Sequence, residues 1–133
     1  MYKILIADDE QVEINILNTI IKAAFPSNVE VQRASNGKMA KSMALLWSAD
    51  IILMDIEMPV MSGIEAAREI LKENRWTKII FITAYPLFSY ARDAVQLGAI
   101  DYILKPVRYE YVVSSIENAV RQIETMRQLR ASK

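Results

Sequence analysis

Residues 50–65 read DIILMDIEMPVMSGIE, a short apolar run that ends in an aspartate and leads towards a helix start. The segment Asp50–Met54 (DIILM) is apolar almost throughout, which is typical of a strand covered on both faces of a parallel sheet. Ser62 is followed three residues later by Glu65, a capping-box pattern that predicts the start of a helix. The stretch therefore predicts a strand, a loop and a helix, with Asp55 at the carboxyl end of the strand.

The same alternation continues on both sides of this stretch. Four more runs have strand character: Lys3–Ala7 (KILIA), Val29–Ala34 (VEVQRA), Lys78–Ile82 (KIIFI) and Asp101–Leu104 (DYIL). Helical spacing predicts helices at Val12–Phe25, Gly37–Trp47, Ser62–Asn74 and Phe88–Leu97, the last ending at Gly98, and from about Arg108 to Leu129. Right-handed crossovers between such units predict an α/β three-layer sandwich, with a five-stranded parallel sheet of order 2-1-3-4-5 and five helices. Val29–Ala34 alternates in polarity, which favours an edge strand.

The helices also predict which side chains face the sheet. The first helix is expected to bury Ile16, Leu17, Ile20 and Ile21, and the second carries Met39, Ala40, Met43, Ala44 and Trp47 on one stripe. In the last helix we expect Val113, Ile116 and Val120 to pack on the sheet. Met126 and Leu129 lie beyond the expected end of the sheet and are candidates for a coiled-coil linker or a dimer contact.

The composition limits the chemistry of the chain. Its 133 residues suit one domain, and 53% hydrophobic with 24% charged residues is ordinary for a globular protein. Sixteen basic and 16 acidic residues cancel, so no overall basic field attracts nucleic acid or anionic lipid. The lack of cysteine and histidine excludes thiolate or imidazole zinc sites and Ser-His-Asp catalysis, and it leaves carboxylates, hydroxyls, lysine and a hard metal ion.

The expected location is the cytoplasm. The absence of cysteine fits a reducing compartment. Met1–Ala7 is too short for a signal peptide, and no run approaches the roughly 18 apolar residues of a membrane helix.

Residues with chemical potential follow the predicted strands at their carboxyl ends. Asp8 and Asp9 follow strand 1, Asp55 follows strand 3, Thr83 ends strand 4 and Lys105 follows strand 5. In a sheet of this order, ligands bind between strands 1 and 3, at the carboxyl ends. Crowded carboxylates repel one another unless a cation lies among them, and Mg2+ suits a shallow site of oxygen ligands.

Each of these residues also has an ordinary structural explanation. Asp9 could cap the first helix, Thr83 could bond to its own backbone in a turn, and Lys105 could be a solvated lysine before a strand-ending proline. Four complementary groups on one edge of one sheet are harder to explain as separate accidents. The joint pattern therefore favours one shared functional site.

The combined pattern resembles the receiver domain of two-component response regulators. The matching residues are ILIADDE at 4–10, ILMDIEMPVMSGIE at 52–65, ITA at 82–84 and YILKPV at 102–107, and the likeness covers essentially the whole chain. The resemblance implies a signalling switch rather than a metabolic enzyme. Its partner would be a sensor histidine kinase that supplies the phosphoryl group.

The resemblance also implies a role for each site residue. Asp55 is the phosphoacceptor, Asp8, Asp9 and Asp55 hold Mg2+ together with the backbone carbonyl of Glu57, and Lys105 pairs with the phosphoryl oxygens. Thr83 is the switch hydroxyl, Tyr102 is the switch aromatic, and the bond before Pro106 is expected to be cis. Glu57 and Tyr85 are expected to flank the path of attacking water. Tyr85 either shields the acyl phosphate or is merely a surface aromatic.

Two segments, YPLFSYA at 85–91 and LGAIDYILKPV at 97–107, look most like receivers attached to AraC-type helix-turn-helix transcription factors. This resemblance implies a receiver domain over residues 1–124, with residues 125–133 forming the end of helix 5 and the start of a linker, which would begin in the polar tail at 131–133. DNA would be contacted only through an output domain outside this chain. A homodimer would form through helix 4, strand 5 and helix 5, without membrane contact.

Three other functions share some of these features. A haloacid-dehalogenase-type phosphatase also uses an aspartyl phosphate and Mg2+, but it needs a D-x-D motif after strand 1, where adjacent aspartates stand here. A flavodoxin-like carrier needs a glycine-rich phosphate loop, whereas the chain has only 3 glycines. A receiver-like interaction module that is never phosphorylated would not need the complete set of acidic, hydroxyl and lysine groups.

Overall fold

Five strands alternate with five helices in the computed structural model, which describes residues 1–132. The strands are β1 (Tyr2–Ala7), β2 (Val29–Ala34), β3 (Ile51–Asp55), β4 (Lys78–Thr83) and β5 (Asp101–Leu104). The helices are α1 (Gln11–Ala24), α2 (Gly37–Trp47), α3 (Gly63–Glu73), α4 (Phe88–Gln96) and α5 (Tyr109–Ala131). Every strand pairing is parallel and the order is β2-β1-β3-β4-β5, which confirms the predicted fold class.

Local sequence signals account for several helix ends. The side chain of Asn36 caps α2 by accepting a hydrogen bond from the Met39 N–H at 2.8 Å. Ser62 caps α3 in the same way, because its Oγ accepts from the Glu65 N–H at 3.2 Å. Just after α4, Gly98 adopts a φ of 73°, the left-handed conformation that glycine tolerates best, so the predicted helix end is confirmed.

Helices cover both faces of the sheet. Buried side chains of α1 and α5 pack against one face, and those of α2, α3 and α4 pack against the other. All residues of β3 are buried, as its apolar run predicts, whereas β2 alternates between half-buried and exposed positions at the edge of the sheet. The carboxyl ends of the central strands are thus held in a packed three-layer structure.

Two side chains that the sequence places on the apolar stripes of α1 and α2 are exposed in the structure. Ile16 is 41% exposed, and Ile14 is buried in its place, because Ile16 lies at the margin of the apolar stripe of α1. Met39 is also exposed on α2. On α5 the expected Ile116 is fully buried and the expected Val113 and Val120 are half-buried but pack against the same core, to which Val112 and Ala119 also contribute.

The last helix is longer than the sequence pattern predicts. It continues to Ala131, so this residue extends the helix instead of opening a polar tail. Lys133, the last residue of that expected tail, lies outside the described residues. Within residues 1–132, no helix combines the length and the apolar character needed to cross a membrane.

Candidate functional site

The register of the sheet brings the predicted site residues to one edge. β1 pairs with β3 so that Ala7 faces Met54, and Asp8 and Asp55 therefore follow side by side. On the other side of β3, Asp55 faces Ile82, so Thr83 ends β4 one residue beyond that pair. Thr83 in turn faces Leu104, which places Lys105 next to it at the end of β5.

Three aspartates form an acidic cluster at this edge. One carboxylate oxygen from each of Asp8, Asp9 and Asp55 can be chosen so that all lie within 4.8 Å of one another. Asp8 and Asp55 are only 1% and 4% exposed, whereas Asp9 is open to solvent. Oxygen ligands around a pocket with one open side suit Mg2+, which keeps several of its waters.

The two carboxylate oxygens of Asp8 have different surroundings. Its Oδ1 accepts a hydrogen bond from the Glu10 N–H at 2.9 Å. Its Oδ2 is fully buried, and within residues 1–132 it accepts no hydrogen bond of acceptable geometry. The Lys105 ammonium lies 3.0 Å from this oxygen and forms an ion pair with it. An oxygen in this position is available to a hard metal ion, so the residues present fit Mg2+.

Asp9 does not have the capping role that was its alternative explanation. Helix α1 begins at Gln11, and the residue at its N-cap position is Glu10, whose side chain makes no capping hydrogen bond within the described part of the chain. Asp9 is therefore free to face the acidic cluster.

Lys105 is buried among the carboxylates rather than solvated. Its Nζ lies 3.6 Å from Asp55 Oδ1 and 3.7 Å from Glu10 Oε1, in addition to the contact with Asp8, and only 9% of its side chain is exposed. Burial by itself would lower the pKa of Lys105, but Asp8 and Asp55 outweigh it and the pKa is raised. The contact with Glu10 was not predicted, although this residue continues the acidic run after β1.

The electrostatics of the cluster raise the pKa values of its two buried carboxyls, Asp55 and Asp8. Burial, the charge of Asp8 and the charge of Asp9 raise the pKa of Asp55 to about 7, although Lys105 opposes them. Burial is also the main reason that the pKa of Asp8 is raised. A divalent cation would favour the ionised forms of both, so metal binding should release protons.

The hydroxyl of Thr83 makes the turn bond that was its ordinary explanation. Thr83 is fully buried, and its Oγ1 accepts a hydrogen bond from the Tyr85 N–H at 3.1 Å. A hydroxyl that accepts one hydrogen bond keeps its own hydrogen for donation. The turn bond and a role in the site are therefore compatible.

Tyr85 links Thr83 to Tyr102 through its backbone. Its carbonyl oxygen accepts a hydrogen bond from the Tyr102 hydroxyl at 3.1 Å, while its own side chain is 53% exposed. Tyr102 is partly buried against the α2–α4 side of the core, and burial raises its pKa. The sequence contains no signal for this backbone connection.

The remaining predicted residues lie in the loops around the cluster. The peptide bond between Lys105 and Pro106 is cis, and the Lys105 N–H donates to the Thr83 carbonyl at 2.8 Å. Glu57 is exposed in the loop that follows β3.

Comparison with known proteins identifies one family. Residues 4–117 match the family model described as "Response regulator receiver domain". The chemotaxis protein CheY of Listeria monocytogenes is 33% identical over 122 residues, which are 91% of this chain and all of that protein. The solved REC domain of AraT, a response regulator from Geobacillus stearothermophilus, has a TM-score of 0.84 and 29% identity, with 95% of this chain and 98% of that chain covered.

Other relatives are longer proteins. An uncharacterized response regulatory protein of Vibrio cholerae is 35% identical over 122 residues, which are 92% of this chain but 46% of that protein. The chain thus spans less than half the length of this relative.

Proposed function

The chain belongs to the response regulator receiver family, and from that premise we propose that it accepts a phosphoryl group on Asp55 and signals by a change of surface shape. One observation carries the proposal. The carboxylates of Asp8, Asp9 and Asp55 lie within 4.8 Å of one another, beside the buried ammonium of Lys105. This arrangement pairs a nucleophilic carboxylate with the charges needed to hold a phosphoryl group.

In the proposed reaction, a carboxylate oxygen of Asp55 attacks phosphorus and forms a new P–O bond. The P–N bond of the phosphohistidine of a sensor kinase breaks, and its electron pair leaves with the imidazole, which takes up a proton. The proposed ligands of Mg2+ are Asp8, Asp9, Asp55 and the Glu57 backbone carbonyl. The ion would supply positive charge for the phosphoryl oxygens. Lys105 supplies a second positive charge, so the site works mainly by position and electrostatics.

Asp55 must be ionised to act as the nucleophile. Its pKa of about 7 means that a substantial fraction is protonated near neutral pH before metal binds. Lys105 lies 3.6 Å from Asp55 and favours the ionised form. We infer that metal binding and nucleophile activation are linked, because both remove the same proton.

The proposed signal passes from Thr83 to Tyr102. The new phosphoryl group adds roughly −1.5 to −2 charges and several acceptor oxygens, and Thr83 donates its hydroxyl hydrogen to one of them. The backbone of Tyr85 already joins Thr83 to the Tyr102 hydroxyl. A movement of Thr83 would therefore shift the carbonyl that accepts the hydrogen bond of Tyr102. The readout is a repacked surface over α4, β5 and α5, driven by a difference of a few kcal/mol between two shapes.

The same surface is the proposed site of homodimer formation. Phe88 and Val95 of α4 are each 80% exposed, and Leu104 of β5 is 45% exposed. Exposed apolar side chains on neighbouring elements favour protein contact.

The proposed domain organisation assigns residues 1–124 to the receiver and residues 125–133 to the end of α5 and the start of a linker. A DNA-binding output domain of AraC type would then follow Lys133 in the cytoplasm.

A labelling experiment tests this function. The protein is incubated with Mg2+ and acetyl phosphate, and the labelled residue is mapped by mass spectrometry. We expect one phosphoryl group on Asp55, which disappears in Asp55→Asn and when the metal is chelated. The absence of label, or label on another residue, would contradict the proposal. Sustained turnover of a phosphomonoester would indicate a phosphatase instead.

A further inference from the structure

Two helices begin with glycines that press against the end of β3 or the loop that follows it. A Cβ atom added to Gly63, the first residue of α3, would overlap the backbone carbonyl oxygen of Asp55. A Cβ atom added to Gly37, the first residue of α2, would overlap the carbonyl oxygen of Met61 in the same loop. In contrast, a Cβ atom added to Gly98 would meet nothing within 4 Å.

We propose that Gly63 and Gly37 are positioning residues, which set the location of Asp55 by allowing helix starts to pack directly on the backbone of its loop. This inference rests on the proposed function, because it concerns the placement of the phosphoacceptor. It assigns the two glycines a task in the site itself, in addition to beginning helices.

Gly63 acts on the loop at two points. Its N–H donates to the Ile56 carbonyl at 2.9 Å, which closes the loop of residues 56–62. Its α-carbon lies against the carbonyl of Asp55 just before this loop. One residue therefore joins the start of α3 to two consecutive carbonyl groups, that of the phosphoacceptor Asp55 and that of Ile56.

Any larger residue at position 63 must displace either Asp55 or α3. Helix α3 is held by four buried side chains, those of Ile64, Ala66, Ala67 and Ile70. Asp55 is the last residue of β3, and it pairs with Ile82 of β4 but extends one residue beyond the pairing with β1. Because Asp55 is held by the ladder on one side only, we expect Asp55 to move more readily than the helix.

Gly37 acts through Met61, one step further from Asp55. Met61 lies two residues before Gly63, and its N–H donates to the Pro59 carbonyl at 2.8 Å. A side chain at position 37 would push the middle of the loop rather than Asp55 itself. We therefore expect a larger residue at position 37 to displace Asp55 as a larger residue at position 63 does, but by a smaller distance.

The variant Gly63→Ala tests the inference against two controls. Ser62→Ala removes the cap of the same helix without adding an atom near Asp55. Gly98→Ala introduces strain at a positive φ in open space. Both controls should lower the thermal midpoint and bind Mg2+ like the wild type in calorimetry. Gly63→Ala should weaken Mg2+ binding by about ten- to hundred-fold, because a displaced carboxylate no longer completes the ligand set.

A crystal structure of metal-free Gly63→Ala gives a result that does not depend on phosphorylation. We expect the distance from Asp55 Oδ1 to Lys105 Nζ to grow beyond the present 3.6 Å. If Asp55 stays in place and α3 moves outward, the inference is wrong, even when the wild type is labelled as proposed. If the wild type is not labelled but Asp55 moves, the proposed function fails and the positioning role stands. Should Gly63→Ala not fold, the same distance and affinity in Gly37→Ala decide the question.

Discussion

The hydroxyl of Tyr102 donates a hydrogen bond to the backbone carbonyl of Tyr85 over a distance of 3.1 Å. The backbone N–H of Tyr85 in turn donates a hydrogen bond to Thr83 Oγ1, also at 3.1 Å. A single peptide segment thus connects the buried Thr83 hydroxyl to the ring of Tyr102, which packs against the α2–α4 side of the core. This connection gives the proposed switch a physical path that variants can interrupt at either end.

Thr83→Val should interrupt the connection while it preserves the shape of the buried side chain. The Tyr85 N–H loses its acceptor, and the phosphoryl group loses its hydroxyl donor. We expect beryllofluoride with Mg2+ to perturb the NMR signals around Asp55 in the variant, but to perturb the Tyr102 signals much less than in the wild type. Tyr102→Phe serves as the control at the other end and should cost no more than about 1 kcal/mol of stability. Equal perturbation of Tyr102 in Thr83→Val and the wild type would contradict the path.

The raised pKa of Asp55 predicts how stability depends on pH without metal. Between its ordinary value of 3.8 and about 7, Asp55 binds more protons in the folded than in the unfolded chain. The free energy of unfolding should therefore fall as pH rises through this window, by at most about 1.4 kcal/mol per pH unit from this group. The raised pKa of Asp8 adds a contribution of the same sign.

Asp55→Asn isolates the contribution of Asp55. The variant should be more stable than the wild type at pH 8, by roughly 1–3 kcal/mol, and its stability should change less between pH 4 and pH 8. Denaturant unfolding at a series of pH values measures this, and saturating Mg2+ should reduce the difference. Parallel curves for the two proteins would show that Asp55 titrates normally.

Lys105→Gln removes the cation from between the buried carboxylates. Lys105 opposes the rise in the pKa of Asp55, so its loss should raise that pKa above its present value of about 7. Initial labelling by acetyl phosphate at saturating Mg2+ should slow by about a hundred-fold, since one charge facing the phosphoryl oxygens is gone. Lys22→Gln makes the same charge change at an exposed position of α1 and should label like the wild type. A similar loss in both variants would mean that overall charge, not position, matters.

The sequence predicted the sheet well because its strands are nearly all apolar. A run such as that of β3 can only be covered on both faces, and that requirement fixes parallel strands with helices on either side. The position of Asp55 next to Asp8 follows from the strand order alone, because parallel strands place their carboxyl ends at one edge. Helix faces were less certain, as Ile14 and Ile16 show, because both lie near one apolar stripe and packing decides between them.

Contacts made by the backbone were not predictable from residue types. The link from Thr83 to Tyr102 runs through the amide and carbonyl of Tyr85, and any residue except proline would offer both groups. The approach of Gly63 to the Asp55 carbonyl is also a backbone contact, and the sequence pattern indicates only a helix start at this glycine. The ion pair between Glu10 and Lys105 depends on side-chain direction after β1, which the sequence pattern does not specify.

Tyr85 offers a test of what limits the lifetime of the acyl phosphate. Its backbone is fixed by hydrogen bonds to Thr83 and Tyr102, so its side chain projects from a defined point while remaining 53% exposed. If the ring shields the phosphoryl group from water, Tyr85→Ala should lose the label several times faster than the wild type. Tyr85→Phe keeps the ring and should match the wild type. Unchanged or slower loss in Tyr85→Ala would reject shielding and leave Tyr85 as a surface aromatic.

The end of α5 is attached to the body of the domain at the opposite end of the sheet. Arg127 lies 3.7 Å from Asp50, and Arg130 stacks over Trp76 with its guanidinium carbon 5.2 Å from the ring centroid. Glu124 accepts a hydrogen bond from the hydroxyl of Tyr2. These contacts place the final turns of the helix against the loops that precede β3 and β4.

Because the end of α5 is attached in this way, Met126 and Leu129, the two candidates for a coiled-coil or dimer contact, have different environments. Met126 is half-buried and lines a cavity of about 220 Å³ with Asp50 and Trp76, whereas Leu129 is 55% exposed. Met126→Ala should therefore lower the free energy of unfolding by about 1 kcal/mol, and Leu129→Ala should change it little. A chain ending at Ile123 should be less stable but keep its association state, as measured by analytical ultracentrifugation. Dissociation of a wild-type dimer on this truncation would show instead that the end of α5 makes the contact between subunits.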